Sequence, residues 1–64
     1  MALSQRIKEL REKANMSQKD LAAKIGVTPG AVAHWELGHK KPSLDNVFRL
    51  AVAFNLTVAE LFSP

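Results

Sequence analysis

The stretch from Gln18 to Leu37, QKDLAAKIGVTPGAVAHWEL, decides the fold. Apolar side chains recur in it at helical spacing on both sides of Gly26, which predicts two short helices joined by a tight turn. Gly26 stands where the first helix must end and the chain must reverse, a position that favours positive φ and therefore a residue without a Cβ. Ala22 is small where the two helices must cross. The residues predicted to face inward are Leu21, Ile25, Val27, Val32 and Trp35.

Hydroxyl residues stand wherever a helix would need its free N–H groups satisfied. These residues are Ser17, Thr28, Ser43 and Thr57. Ser17 and Thr57 are each followed three residues later by a carboxylate, the spacing of a capping box, and Pro29 fits the first helical position after Thr28. Together with an amphipathic segment at the start of the chain, these signals predict helices over residues 3–14, 18–25, 29–37, 44–54 and 58–62. No strand is predicted, because apolar alternation of period two is not sustained.

The fourth predicted helix is more apolar than one buried face requires. Its core stripe is predicted at Leu44, Val47, Leu50, Ala51 and Phe54. Phe48 is predicted to close one end of the core. Val52 falls well off the stripe, and since exposed apolar residues on a small domain often mark a partner site, we predict that it lies at an interface.

The composition predicts one domain over residues 1–64, near the lower size limit for folding without disulfides or metals. The chain has no cysteine, 47% apolar and 23% charged residues, and no long apolar run, which argues against a disordered or membrane-spanning chain. The start of the chain does not have the pattern of a signal peptide, so we expect a cytoplasmic location and no membrane partner. A formal net charge of +3 suits a polyanionic partner.

Residues typical of one known protein family occur along the whole chain. In the central stretch they are Leu21, Ala22, Gly26, Val27, Val32, Trp35 and Glu36, and outside it they are Ile7, Leu10, Arg11, Gly38, Lys41, Pro42, Ser43, Leu44, Leu50, Ala51, Leu56 and Leu61. Together they resemble the lambda-repressor-like (Cro/CI, XRE) helix-turn-helix family. The resemblance implies an all-α, compact five-helix DNA-binding domain. It further implies a small, nucleoid-associated transcriptional regulator, a repressor of bacterial or phage origin, that binds double-stranded DNA as a homodimer on a pseudo-palindromic operator.

The resemblance also implies which residues contact DNA, with the helix over 29–37 in the major groove. The implied base contacts are Thr28, Pro29, Gly30, Ala33, His34 and Leu37. The implied phosphate contacts are Gln18, Gly38, His39, Lys40, Lys41, Ser43 and Asn46, with the amide of Gly38 unobstructed. Family members usually carry amide, guanidinium or other polar side chains at several of the base-contacting positions, whereas here only Thr28 and His34 are polar. We therefore predict that readout depends on thymine methyl groups and groove shape, with His34 as the main polar contact.

Two structural roles follow from the same resemblance. Arg11 and Glu36 are expected to pair and to tie the recognition helix to the body of the protein, so Arg11 is not expected to contact DNA. The expected dimer interface consists of Val52, Asn55, Leu56 and Thr57.

Other functions have less support in the sequence. His34 and His39 do not share one helical face and no cysteine or suitable carboxylate completes a ligand set, so we expect no metal and no cofactor. A catalytic histidine would lack a nucleophile, and so short a helical chain is expected to leave little room for a concave site, which argues against an enzyme and gives no sign of a small-molecule ligand. The alternative that stays open is an adaptor of the same fold, whose apolar surfaces bind another protein.

Overall fold

The computed structural model describes residues 2–63, so Met1 and Pro64 of the predicted domain lie outside the described residues. Its helices are α1 (Leu3–Lys13), α2 (Gln18–Ile25), α3 (Pro29–Leu37), α4 (Leu44–Ala53) and α5 (Val58–Phe62). All five predicted helices are confirmed, although α1 and α4 each end one residue earlier than predicted. Residues 2–63 contain no β-strand, and none of the helices within them is long and apolar enough to cross a bilayer.

The helix ends follow the capping chemistry of the sequence. The hydroxyl groups of Ser17, Thr28, Ser43 and Thr57 each accept a hydrogen bond from the backbone N–H three residues later. Both predicted capping boxes are present, at the starts of α2 and α5. Gly26 and Gly38 end α2 and α3 in the left-handed region, with φ of 79° and 77°. The turn between α2 and α3 is therefore fixed on one side by a glycine and on the other by a capped helix start.

The core lies where α1, α4 and α5 meet the α2–α3 pair. Its buried residues are Ile7, Leu21, Ala22, Ile25, Val32, Trp35, Val47, Leu50, Ala51 and Leu61. All but one of the side chains predicted to face inward from the central stretch are among them, and the exception, Val27, is partly buried against the same cluster. The core thus holds one face of α3 and leaves the opposite face to solvent.

Two predictions for α4 are wrong. Leu44 is 69% exposed, because it lies in the first turn of α4, where residues 44–46 include no buried side chain. Phe48 is 52% exposed and does not close the core, since the buried stripe of α4 runs through Val47, Leu50 and Ala51 and leaves Phe48 at its edge. Val52 is 80% exposed, off the stripe as predicted.

The two glycines of the central stretch provide a paired test of the turn. We expect Gly26→Ala to lower the free energy of unfolding by about 1 kcal/mol, because φ is positive there and an added Cβ is strained. The nearest atom to that Cβ is Arg49 Nη1 at 3.6 Å, so the loss comes from the backbone and not from a clash. Gly30→Ala, inside α3 and with its Cβ in ordinary van der Waals contact with Thr28 Oγ1 at 3.9 Å, is expected to raise stability by about 0.5 kcal/mol. Urea unfolding measures both, and equal effects of the two substitutions would contradict this account of the turn.

Candidate nucleic-acid interface

The exposed face of α3 carries most of the residues predicted to contact bases. Val32 and Trp35 bury the opposite face, which leaves Thr28, Gly30 and His34 exposed to solvent. The helix has nine residues, a length of about 13 Å at the rise of an α-helix. An α-helix with its side chains is about 10–12 Å in diameter, so α3, held by one buried face, fits the major groove of B-form DNA, which is about 12 Å wide.

A depression of about 440 Å³ lies beside this face. It is bounded by the first turns of α3 and α4 and by the loop between these helices. Its lining residues are Thr28, Gly30, Ala31, His34, Trp35, Lys40, Lys41, Ser43 and Asn46. The structure therefore brings together three of the predicted base contacts and four of the predicted phosphate contacts. Ala31 belongs to the same surface but was not predicted, although its place one residue after exposed Gly30 could have indicated it.

The remaining predicted base contacts lie on α3 outside the depression. Pro29 and Leu37 are exposed at the two ends of the helix, and Ala33 is half-buried between them. None of these three side chains can form a hydrogen bond with a base. The hydroxyl oxygen of Thr28 accepts the N–H of Ala31 at 3.2 Å as the helix cap. Among the predicted base contacts, the imidazole of His34 is therefore the polar group with the most freedom to bond outward.

The expectation of an unobstructed amide at Gly38 is wrong. Its N–H donates to the carbonyl of Trp35 at 3.1 Å, and the N–H of His39 donates to the carbonyl of His34 at 3.0 Å. These bonds close the end of α3, since the left-handed turn at Gly38 directs its amide back towards the last carbonyls of the helix. Any phosphate contact of this segment would therefore have to come from side chains, such as those of Lys40 and Lys41.

The two histidines lie closer than their spacing in the chain indicates. The ring centroids of His34 and His39 are 5.8 Å apart, because the turn at Gly38 folds the loop back beside the last turn of α3. The two residues do not share a helical face, because His39 lies past the end of α3, but the turn brings their rings together. Within residues 2–63, no group of three or more histidine, cysteine or acidic residues is placed to hold a metal ion.

Glu36 joins three helices through one carboxylate. Its Oε2 accepts a hydrogen bond from Arg11 Nε at 2.6 Å, and its Oε1 accepts from Arg11 Nη2 at 3.0 Å and from Gln18 Nε2 at 3.1 Å. Arg11 Nη1 also donates to the carbonyl of Met16 at 2.7 Å, in the loop between α1 and α2. The expected contact between Arg11 and Glu36 is thus present in the structure. The bond from Gln18 to Glu36 was not predicted.

The electrostatics of this contact favour the ionised pair. Burial by itself would raise the pKa of Glu36, whose side chain is 4% exposed. Hydrogen bonds from Arg11 and Gln18, together with the charge of Arg11, outweigh that effect and hold the pKa of Glu36 below its ordinary value. The bond to Glu36 in turn raises the pKa of Arg11. The carboxylate therefore stays charged and keeps one N–H of the Gln18 amide bonded to the body of the protein.

Two other arginines are occupied by helix ends. Arg49 donates to the carbonyl of Ile25 at the end of α2 at 3.2 Å and pairs with Asp45 at 3.1 Å. Arg6 donates to the carbonyls of Glu60 and Leu61 in α5 at 3.0 and 3.2 Å. The bonds from Arg49 to Ile25 and from Arg6 to α5 join distant parts of the chain and had no signal in the local sequence, whereas Asp45 and Arg49 are four residues apart on α4. They leave Lys40 and Lys41 as the cations that line the depression.

The residues expected at a dimer interface lie together at the junction of α4 and α5. Val52 and Asn55 are exposed, Leu56 is half-buried, and Thr57 caps α5. Asn55 has a φ of 56°, so the chain turns sharply between the two helices. This junction is made by a different part of the chain from the loop and helix starts that form the depression.

Comparison with known proteins gives one consistent result. A family model described as Helix-turn-helix matches residues 7–61. An uncharacterised HTH-type transcriptional regulator of Archaeoglobus fulgidus is 39% identical over 57 residues, which are 89% of this chain and 80% of that protein. The crystal structure of the restriction-modification controller protein C.AhdI from Aeromonas hydrophila is similar with a TM-score of 0.89 and 36% identity, over 95% of this chain and 92% of that one. The P22 c2 repressor in complex with a synthetic operator gives a TM-score of 0.88 and 26% identity, with the same coverage of both chains.

The lowered pKa of Glu36 predicts a loss of stability in acid. A carboxylate whose pKa is lower in the folded than in the unfolded chain stabilises the fold fully above the ordinary glutamate pKa of about 4.3, and this contribution is lost as the pH falls through the lower folded value. We expect the free energy of unfolding of Glu36→Gln to vary less than that of the parent chain between about pH 5 and pH 3. Glu9→Gln, also on α1 but not among the groups that act on Arg11 or Glu36, is the control and should lose stability in parallel with the parent chain. Urea unfolding across this range would contradict the role of Glu36 if the Glu36→Gln and parent chains lost stability in parallel.

Proposed function

Because the chain belongs to the lambda-repressor-like (Cro/CI, XRE) family of helix-turn-helix transcriptional regulators, we propose that it binds double-stranded DNA in a sequence-specific manner as a repressor. The observation that carries this proposal is the depression beside α3, which joins the first turn of that helix to two lysines and to the start of α4. An α-helix in the major groove with cations on its flank is the arrangement by which such domains hold a duplex. The curated relatives that are 39% identical are named transcriptional regulators, which supports DNA as the partner.

The phosphate contacts of this proposal come from three parts of the chain. Lys40 and Lys41 of the loop line the depression together with Ser43 and Asn46 at the start of α4. The N–H of Asn46 is bonded to the Ser43 hydroxyl, so the start of α4 offers the earlier N–H groups of its first turn and the side chain of Asn46. Gln18, the first residue of α2, has one amide N–H held by Glu36 and the rest of the group available. His39 adds a further polar side chain in the loop, and contacts from several elements would fix the register of α3 in the groove.

Most of the side chains that would contact bases in this proposal are apolar. Ala33, Pro29 and Leu37 present only hydrocarbon to the groove, and Gly30 presents none. Thymine is the base that offers a methyl group in the major groove, so these side chains favour A·T pairs at the positions that they cover. His34 supplies the hydrogen bond, and groove width and bending supply the rest of the discrimination.

The proposed regulator acts as a dimer. Val52 is 80% exposed and adjoins Asn55, Leu56 and Thr57, which supports a twofold contact at the α4–α5 junction. Such a contact would direct two copies of α3 to successive major grooves about 34 Å apart, on a pseudo-palindromic site. The crystal structure of the P22 c2 repressor with its synthetic operator supports double-stranded DNA as the ligand of such a fold.

The salt dependence of binding tests the phosphate contacts. With a duplex selected from random sequence, we expect replacement of Lys40 and Lys41 by glutamine to lower the slope of log affinity against log salt by about two units, since each contact contributes about 0.9. Lys24→Gln removes one positive charge from the last turn of α2, outside the depression, and is expected to leave the slope unchanged. A slope that is unaffected by the double substitution, or lowered as much by Lys24→Gln, would overturn the proposed docking.

Replacement of thymine by uracil tests the apolar readout. At a base covered by Ala33 or Pro29, the loss of the methyl group should weaken binding about fourfold, the equivalent of about 0.8 kcal/mol for one buried carbon. The same replacement outside the selected site is the control, and fluorescence anisotropy measures both. Equal affinities for the thymine and uracil duplexes, at every position of the site, would show that methyl groups are not read.

A charge at the α4–α5 junction tests the dimer. We expect Val52→Glu to reduce the number of chains bound per pseudo-palindromic duplex from two to one, because a carboxylate cannot be buried unpaired at an apolar contact. Ala14→Glu adds the same charge at the exposed end of α1 and should keep two chains per duplex. Sedimentation velocity gives the stoichiometry, and two chains of Val52→Glu on one duplex would place the interface elsewhere.

A further inference from the structure

A second concavity lies on the other side of the loop that carries the two lysines. It is a groove of about 430 Å³ between the start of α1, the end of α3, the loop and the last turn of α5. Its walls are largely apolar and include Leu3, Trp35, Pro42 and Phe62. Phe62 is 52% exposed even though it lies against this groove, so a large part of its ring has no partner in the folded chain. Although the sequence was expected to leave little room for a concave site, the fold does form this groove.

The same lysines line both concavities. Lys40 and Lys41 belong to the depression beside α3 and also to the apolar groove, because the loop forms the ridge between them. No acidic residue is among the residues that line the groove. A ligand in the groove would therefore contact apolar side chains on several sides and the two lysine ammonium groups at one edge.

We propose that this groove binds a small apolar anion, a carboxylate on a short alkyl chain or a flat aromatic ring. The volume lies within the range of about 300–1,000 Å³ that is typical of sites for small organic molecules. Burial of the hydrocarbon part against Phe62, Leu3 and the exposed edge of Trp35 supplies affinity, at about 25 cal/mol for each Å² removed from water. The carboxylate lies against the ammonium groups of Lys40 and Lys41, which sets the charge of the ligand.

Occupation of the groove would act on DNA binding through these shared side chains. A lysine turned towards a carboxylate in the groove is withdrawn from a phosphate on the other side of the loop. The anion and the duplex therefore compete for the same two ammonium groups without competing for α3. This consequence rests on the proposed function, whereas the binding of the anion by itself does not.

Titration of the ¹⁵N-labelled chain with octanoate tests the site in the absence of DNA. Trp35 is the single tryptophan of the chain, so its indole N–H gives one assignable signal. We expect octanoate to shift this signal and the amide of Gly38 in a saturable manner, and acetate to leave them unmoved. Octanol, which has the same chain without the charge, should bind about fivefold more weakly, as should octanoate to the chain with glutamine at both lysine positions.

Substitution of two equally exposed phenylalanines distinguishes binding in the groove from non-specific binding to any exposed apolar side chain. Phe62→Ser should weaken octanoate binding about tenfold, since it removes the aromatic wall of the groove. Phe48→Ser, at a residue that is also 52% exposed but lies on α4, should leave it unchanged. Each of these results would overturn the proposal: no saturable shift of the Trp35 signal, octanol bound as tightly as octanoate, or equal effects of the two substitutions. Loss of a dimer in Phe62→Ser by sedimentation, without any effect on octanoate, would assign the groove to a second copy of the chain instead.

Competition with DNA is measured separately. Saturating octanoate should weaken binding to the selected duplex about fivefold in the parent chain and in Phe48→Ser. Phe62→Ser should bind DNA as the parent chain does and should be insensitive to octanoate. If the chain binds octanoate but no duplex, the proposed function fails and the anion site stands. If octanoate binds and DNA affinity does not change, the site stands and the competition is refuted.

Discussion

The rest of the proposed DNA-binding surface depends on the hydrogen bonds that the buried carboxylate of Glu36 accepts. It accepts hydrogen bonds from Arg11 of α1 and from Gln18 of α2, and it belongs to the last turn of α3. Apolar packing between short helices does not by itself fix their rotation, because hydrocarbon surfaces allow many arrangements of similar energy. A charged pair with defined hydrogen-bond directions fixes the rotation of the helices, since a displaced helix would leave a buried charge without a partner. The orientation of α3 thus depends on an ion pair made by its last turn.

In the proposed interface, the residues that would bind phosphates differ from the residues that would meet the bases. Cations and helix starts are concentrated around Lys40, Lys41 and Ser43, and they suit the phosphates, which are alike in every sequence. The part of α3 that would meet the bases is dominated by alanine, glycine, proline and leucine, which reduces the number of hydrogen bonds available for discrimination. A regulator with this surface would gain selectivity from methyl groups, from DNA shape and from the doubling of contacts in a dimer. The lysines that supply affinity also border the apolar groove, so the loop is where a second ligand would have most effect.

Much of the fold could be predicted from the sequence because its determinants are local. The hydroxyl caps of α2 and α5, the glycine turn at Gly26 and the spacing of Val32 and Trp35 each act within a few residues. The same kind of reasoning failed where the outcome depends on distant parts of the chain. Periodicity gave the right phase for α4 but could not tell that its first turn, with Leu44, has no buried side chain.

The interface was predicted less completely, and for a related reason. A family resemblance places residues on a surface but does not say which of their polar groups are already bonded. The amide of Gly38 closes the end of α3, and the side chain of Gln18 has one N–H on Glu36. The approach of His39 to His34 follows from the left-handed turn at Gly38, which helical spacing does not describe. These contacts become apparent only once the backbone path between α3 and α4 is known.

The central claim is that α3, held rigid by its buried face, enters the major groove. Titration of the ¹⁵N-labelled chain with a selected duplex tests it most directly, through the backbone amides of Thr28, Ala33 and His34. The account predicts that these signals move together and saturate with the lysine loop, while those of Glu12 and Lys13 in α1 stay in place. Signals of α3 that remain unmoved while DNA binds elsewhere, or does not bind at all, would contradict it.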